Sequence, residues 1–267
     1  MLQEYTKEQL LQQLRGMGIQ STDNLLVHSS MKSLGPVQGG ADTVLDALME
    51  TVPEGLLILP THTWQQMSAE YSLFDPETEQ VCVGILPELF RKRPGVVRSL
   101  HPTHSVAVYG NGAEEYIKGE ENCTTPCPPD GCWGRLKDIN AKILMLGVTH
   151  TRNTYIHSIE ESFNIPERFT DKPTRFLVKM PDGSVKNVDM YRHYNRINPH
   201  ISEDYDKMKT GYDKTGAAKT VRLGDAECIL CEAAKLYEVT GRILTKEPNC
   251  FIERDEIPEE WYMEVCR

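Results

Sequence analysis

A three-layer α/β/α sandwich around a largely parallel or mixed central sheet is the fold this sequence predicts, with a C-terminal β-hairpin and helix elaboration. Three observations carry it. Short continuous apolar runs, "NLLVHSS" and "GLLILPT", suit strands that are covered on both faces. The amphipathic stretch "GGADTVLDALMETV" joins them by short links, and strand–helix–strand order favours parallel pairing. With 267 residues, 39% hydrophobic and 25% charged, the chain is long enough for a sizeable core and too ordinary in composition for long disorder.

The elements follow in order. Residues 6–17 read as a helix with an apolar stripe of Leu10, Leu11 and Leu14 and with Thr6 as N-cap. The first strand comes next, then a glycine-opened helix whose Val44, Leu45 and Leu48 face inward, then the second strand. "HSVAVYG" and "AKILMLGV" supply a third and a fourth strand. Between them, "TWQQMSAEYSLFDPETEQ" and "CTTPCPPDGCWGRL" are long, polar or proline-rich, and read as binding loops. After residue 165, "TRFLVKMPDGSVKNVDMYRH" alternates around "PDG" as a hairpin, and "AECILCEAAKLYEVTGRIL" reads as a late helix. No internal repeat or clear linker interrupts the pattern, so one domain over residues 1–267 is expected.

The formal net charge of -10 argues against nucleic acid, which requires a basic face, and fits a cationic small molecule better. The N-terminus has no apolar signal core, and no apolar run reaches the ~20 residues of a membrane span. A cytoplasmic protein without a membrane partner is expected, and its eight cysteines are then thiols.

Polar side chains gather where strands end, the place where ligands bind in open α/β sheets. His28, Ser29 and Ser30 end the first strand, with Lys32, Ser33, Gly35 and the pair Gly39–Gly40 just beyond. Thr61, His62, Thr63 and Trp64 end the second, and His101, His104 and Ser105 precede the third. Each histidine taken singly is more often a structural group, and "GG" fits a tight turn as well as it fits a phosphate cradle. In "NTYIHSIEES", His157 and Glu160 are three apart at a helix start, so they share a face. They form either a surface ion pair or a general base with its carboxylate. Cys123, Cys127 and Cys132 lack the Cys-x-x-Cys pair of a closed zinc site, so no metal is expected.

Taken together, "LLVHSSMKSLGPVQGGADTVLDALMETV", "GLLILPTHTW", "VVRSLHPTHSVAVYG", "TTPCPPDGCWGRL" and "ILMLGVTHTRNTYIHSIEE" resemble the aminoglycoside 3-N-acetyltransferase family over roughly residues 5–165, with a looser match to about 240. The resemblance implies the three-layer fold, acetyl-CoA as co-substrate and an amine acceptor, and with them a place among antibiotic-resistance acyltransferases. It implies that His28, Ser29, Ser30 and Gly35 help hold the pantetheine arm and phosphates, joined by Lys32, Ser33, Gly39 and Gly40. It places His101 and Ser105 near the donor and makes His157 and Glu160 the catalytic pair. Thr61, Thr63, Trp64 and Glu160 are expected to meet the acceptor. Cys127 and Cys132 depart from the family's usual small residues, which leaves the acceptor's identity open. A homodimer is compatible with this reading. The rival readings are a thiol- or metal-assisted amide hydrolase built on the cysteine–histidine loop, and a non-catalytic CoA- or amine-binding protein.

Overall fold

The structure is a computed structural model that describes residues 4–263. Among the described residues, ten strands form two sheets: β1 (Leu25–Ser29), β2 (Leu57–Pro60), β3 (Leu73–Phe74), β4 (Val97–Arg98), β5 (Val106–Tyr109), β6 (Lys142–Leu146), β7 (Thr174–Lys179), β8 (Val185–Met190), β9 (Ala218–Leu223) and β10 (Ala226–Glu232). The α-helices are α1 (Lys7–Gly16), α2 (Gly40–Thr51), α3 (Ile85–Phe90), α4 (Ala113–Tyr116), α5 (Tyr155–Ser162), α6 (Lys209–Thr215), α7 (Ala233–Lys246), α8 (Cys250–Glu253) and α9 (Glu259–Met263).

The central sheet has strand order β4-β5-β2-β1-β6-β10-β9. Only its middle is parallel: β1 runs parallel to β2 and to β6, and antiparallel strands extend the sheet on both sides. The sheet is covered on both faces, which explains the unbroken apolar runs. Leu26, Ile58, Ile143 and Met145 point into one core with residues of α5 and α7. Their sequence neighbours Leu25, Val27, Leu57, Leu59, Leu144 and Leu146 point into the other, against α1, α2 and α3. Alternate side chains of one strand thus serve opposite layers.

The N-terminal helix begins as its sequence implies: the Thr6 hydroxyl accepts from the Gln9 N–H, and Gln9 Oε1 accepts from the Thr6 N–H, a reciprocal capping box. The hairpin around "PDG" is present as β7 and β8, paired from Thr174↔Met190 to Lys179↔Val185. It belongs to a separate three-stranded sheet, β3-β7-β8, whose third member comes from the loop after β2.

One element differs from the sequence reading. Residues 226–232 are strand β10, and the late helix starts only at Ala233. The apolar run Cys228–Cys231 fits either period; what decides is that β6 and β9 flank it and bond to it on both edges.

Candidate active site

The three parallel strands end at one cavity of about 540 Å³. His28 and Ser29 reach it from β1, His62 and Trp64 from the segment after β2, and residues from Val148 to Thr154 from the segment after β6. The helix α5 contributes His157, and the chain beyond β8 closes the far side with Arg192, His193 and Tyr194. The site therefore lies at the carboxyl ends of the parallel strands, as in other open α/β sheets.

His157 and Glu160 are not a surface pair. The Glu160 side chain is 2% exposed, and its two oxygens are held separately. Oε1 accepts from Arg168 Nε at 2.7 Å, and Oε2 accepts from the Tyr205 hydroxyl. His157 Nδ1 lies 2.6 Å from that same hydroxyl and 3.5 Å from Glu160 Oε2. A phenol has one proton. With that proton donated to Glu160, the tyrosine oxygen accepts from Nδ1–H, and Nε2 is left as the free acceptor of the ring. Burial pushes the Glu160 carboxyl up, but His157 and Arg168 more than offset this and hold it below the usual carboxylate range. Burial, reinforced by Glu160, pushes the Tyr205 phenol far above its ordinary value, so it stays a neutral donor.

A second imidazole–carboxylate pair lies beside the first. The His193 ring stacks on His157 with centroids 4.2 Å apart, and its Nε2 is 2.7 Å from Glu161 Oε1. Glu161 also accepts from the Thr125 hydroxyl at 2.5 Å and from the Cys127 N–H at 2.8 Å. Burial nevertheless dominates and raises its carboxyl to about 7. Trp133 is the slab behind the cavity: His62 stacks on it at 5.4 Å and His28 at 5.9 Å, while its Nε1–H donates to the His104 carbonyl.

The other expected residues divide sharply. His28, Ser29, Trp64 and His157 line the cavity. Thr61, Thr63, His101 and Ser105 do not, because all are buried within the protein and engaged there. His101 Nδ1 accepts from the N–H groups of Thr103 and His104, and Nε2–H donates to the Thr125 carbonyl at 3.1 Å, so both ring nitrogens are occupied by a turn. The Ser105 hydroxyl donates to the Thr61 carbonyl and accepts from Arg98. Thr63 donates to the Pro102 carbonyl.

Ser30, Lys32, Ser33, Gly35, Gly39 and Gly40 also lie outside the cavity wall. The Ser33 hydroxyl donates to Ser30 and reaches the Gly147 carbonyl, while Lys32 is exposed. Gly35 (φ +76°) lies against the Asp225 carboxylate, where a side chain would collide, and Gly39 (φ +77°) turns the chain into α2. Their glycine character has a local structural cause.

The sequence reading missed Arg168, Tyr205 and His193. Nothing in spacing marks them: Tyr205 meets Glu160 across 45 residues of chain. The loop thiols are poor nucleophiles. Burial, with nearby carboxylates, raises Cys123, Cys127 and Cys132, and a reactive cysteine needs the opposite shift.

An open mixed sheet with a histidine-lined cavity at the ends of its parallel strands marks the protein as an α/β enzyme of the ligand-binding, sheet-end type. Comparison with known proteins narrows the class. The sequence profile described as aminoglycoside 3-N-acetyltransferase matches residues 26–245. The aminoglycoside N(3)-acetyltransferase VII of Streptomyces paromomycinus is 28% identical over 260 residues, covering 87% of this chain and 89% of the relative. A mutant of the aminoglycoside acetyltransferase AAC(3)-IVa, crystallised in complex with a gentamicin, superposes with a TM-score of 0.81 at 26% identity over 94% of this chain and 92% of that one. AAC-IIIb, solved as a binary complex with CoASH, shares the fold with a TM-score of 0.77 at 22% identity, over 91% and 97% of the two chains. The chain belongs to the aminoglycoside 3-N-acetyltransferase family, whose members are acyltransferases with acetyl-CoA as co-substrate. No described helix is long and apolar enough to cross a membrane.

Proposed function

We propose that residues 1–267 form one acetyltransferase domain that moves acetyl from acetyl-CoA to a primary amine of an aminoglycoside-like acceptor, by direct attack while both substrates are bound. The observation that carries this is the buried assembly of His157, Glu160, Tyr205 and Arg168, which leaves one imidazole nitrogen unengaged on a cavity-lining residue. A protonated amine cannot attack a thioester. His157 Nε2 takes its proton, and Glu160, fixed by Arg168, stabilises the imidazolium through the Tyr205 hydroxyl. The nitrogen then adds to the carbonyl carbon, the C–S bond of the tetrahedral intermediate breaks, the nitrogen's second proton leaves with the sulfur as free CoA thiol, and the proton on His157 returns to solvent. Ser105 is enclosed, so the developing oxyanion falls to groups on the wall, of which Asn153 and Thr154 stand at the start of α5 beside His157. Holding both substrates at once supplies the proximity part of the rate.

The donor is anionic, and the wall supplies the matching charge despite the net -10: Arg152 and Arg192 both line the cavity. Arg192 donates to the Met67 and Trp64 carbonyls, which aims its guanidinium without neutralising it. The thiol-hydrolase alternative lacks a thiolate, as the raised cysteines show. A second reading of the acceptor, an amine with few positive charges, is favoured by the absence of any carboxylate side chain among the described residues that line the cavity.

Free-thiol release from acetyl-CoA over a panel of aminoglycosides, polyamines and simple amino sugars tests the proposal. Turnover with an aminoglycoside is the expected result. Turnover only with weakly charged amines selects the second reading, and CoA binding without turnover on any amine removes catalysis.

A further inference from the structure

We propose that His104, Cys127 and His193 bind a borderline-soft divalent cation of the zinc class, and that the bound ion inhibits acetyl transfer by obstructing the acceptor. The three ligand atoms all lie within 4.8 Å of one another. They come from three places in the chain: the turn before β5, the proline-rich loop, and the segment after β8. Sequence spacing could not reveal the set, because the cysteine is paired with histidines from distant segments and not with another cysteine.

The chemistry of the donors is what zinc selects: two imidazoles and a thiol. Zinc bonds of about 2.0–2.3 Å place tetrahedral ligands roughly 3.3–3.8 Å apart. Closing the set therefore asks for movements of about 1 Å, within the reach of side-chain torsions. Each ring is already held by the protein at one nitrogen: His193 Nε2 lies 2.7 Å from Glu161 Oε1, and His104 Nδ1 lies 2.9 Å from the Thr103 hydroxyl. Glu161 also accepts from the Cys127 N–H. One carboxylate thus supports two of the three ligands, the arrangement that ligating histidines usually have in their outer sphere. His104 and His193 line the cavity, and Cys127 is fully buried behind them, so the ion would have its open side toward the substrates. Binding releases the thiol proton.

In the proposed reaction His157 is the base, so the ion is given no part in acetyl transfer. His193 stacks on His157 at 4.2 Å, so a dication held there stands beside the path of the incoming amine. It occupies space and repels a cationic acceptor. The inhibition half of the inference rests on the acetyltransferase reading. The binding half does not.

Cobalt(II) is the probe for binding, because thiolate ligation gives a near-ultraviolet charge-transfer band. The metal-free protein should take up about one equivalent with that band, and Cys127→Ser should lose it. His104→Gln should weaken zinc binding, measured by equilibrium dialysis, by at least about tenfold, and it covers the case in which Cys127→Ser does not fold. For inhibition, zinc should raise the acceptor KM with little effect on kcat, a chelator should reverse it, and Cys127→Ser should require at least about tenfold more zinc relative to its own metal-free rate. No thiolate band, or a band that survives Cys127→Ser, overturns the site. Stoichiometric binding without inhibition overturns the regulatory half. A metal-free protein that binds cobalt at these residues but acetylates no amine strikes the acetyl-transfer reading and leaves the metal site standing.

Discussion

His101 and His157 are both motif histidines near the same cavity, and they differ in what each ring has left over. His101 has two N–H groups on Nδ1 and a carbonyl on Nε2. It is a linchpin of the turn before β5. His157 has one nitrogen engaged by Tyr205 and Glu160 and the other without a partner among the described residues, on a cavity-lining side chain. A base needs an acceptor atom that the fold does not use. Burial separates them only in part, since His101 is fully enclosed and the His157 side chain is 16% exposed; the count of occupied nitrogens separates them fully.

The largest expected effect falls on the support of the His157 ring. Glu160→Leu leaves the Arg168 guanidinium, 4% exposed, without its carboxylate, and breaking a buried pair from one side costs about 3–5 kcal/mol. Urea unfolding should show this loss. A change under about 1 kcal/mol would mean that Arg168 is better solvated than the structure implies.

His101→Ala should be a stability variant. It strips one acceptor and one donor from a buried turn, at a cost of about 1–3 kcal/mol, while turnover in the folded fraction stays within severalfold of the parent. A stable His101→Ala protein with turnover reduced a hundredfold would erase the contrast with His157.

The acid side sharpens the comparison further. Burial lowers His28 to about 3 and His150 to about 4, from an ordinary 6.5. Between the ordinary and the lowered values the unfolded chain binds protons that the folded one refuses, so the stability these two histidines contribute is full above pH 6.5 and falls as pH drops toward 3–4. Each such group contributes a slope of up to about 1.4 kcal/mol per pH unit. His150→Gln should flatten the curve by up to one proton's worth, and an unchanged slope would count against the burial of neutral His150.

Tyr205→Phe is the mildest change. It removes the hydroxyl that links His157 to Glu160 while keeping the ring that packs against Phe251 at 4.8 Å. Turnover should fall on the order of tenfold, as for loss of one hydrogen bond to a charged group. Parent-like turnover would make Tyr205 a packing residue only.

What the sequence could tell follows from which of these contacts are local. His157 and Glu160 share a helical face at i and i+3, so their pairing was legible. So were the doubly covered strands β1, β2 and β6, because their apolar runs have no polar face. The early part of the late helix was not, since Cys228–Cys231 becomes a strand only when β6 and β9 bond to it. Nor could sequence tell that Ser105 and Thr63 are sealed within the fold, or that Arg168 and Tyr205 hold the Glu160 carboxylate. Those facts depend on segments brought together across the chain.

The central claim is that His157 Nε2 removes the proton from the attacking amine. Its most direct test is the acetylation rate of His157→Ala, measured with acetyl-CoA affinity and thermal stability in the same preparation. Removal of the ring leaves the Tyr205–Glu160–Arg168 contacts in place, so the fold and donor binding should persist. The account predicts that kcat falls on the order of 100-fold or more, the usual contribution of a positioned base. A folded His157→Ala protein that binds acetyl-CoA and acetylates its amine at close to the parent rate would contradict it.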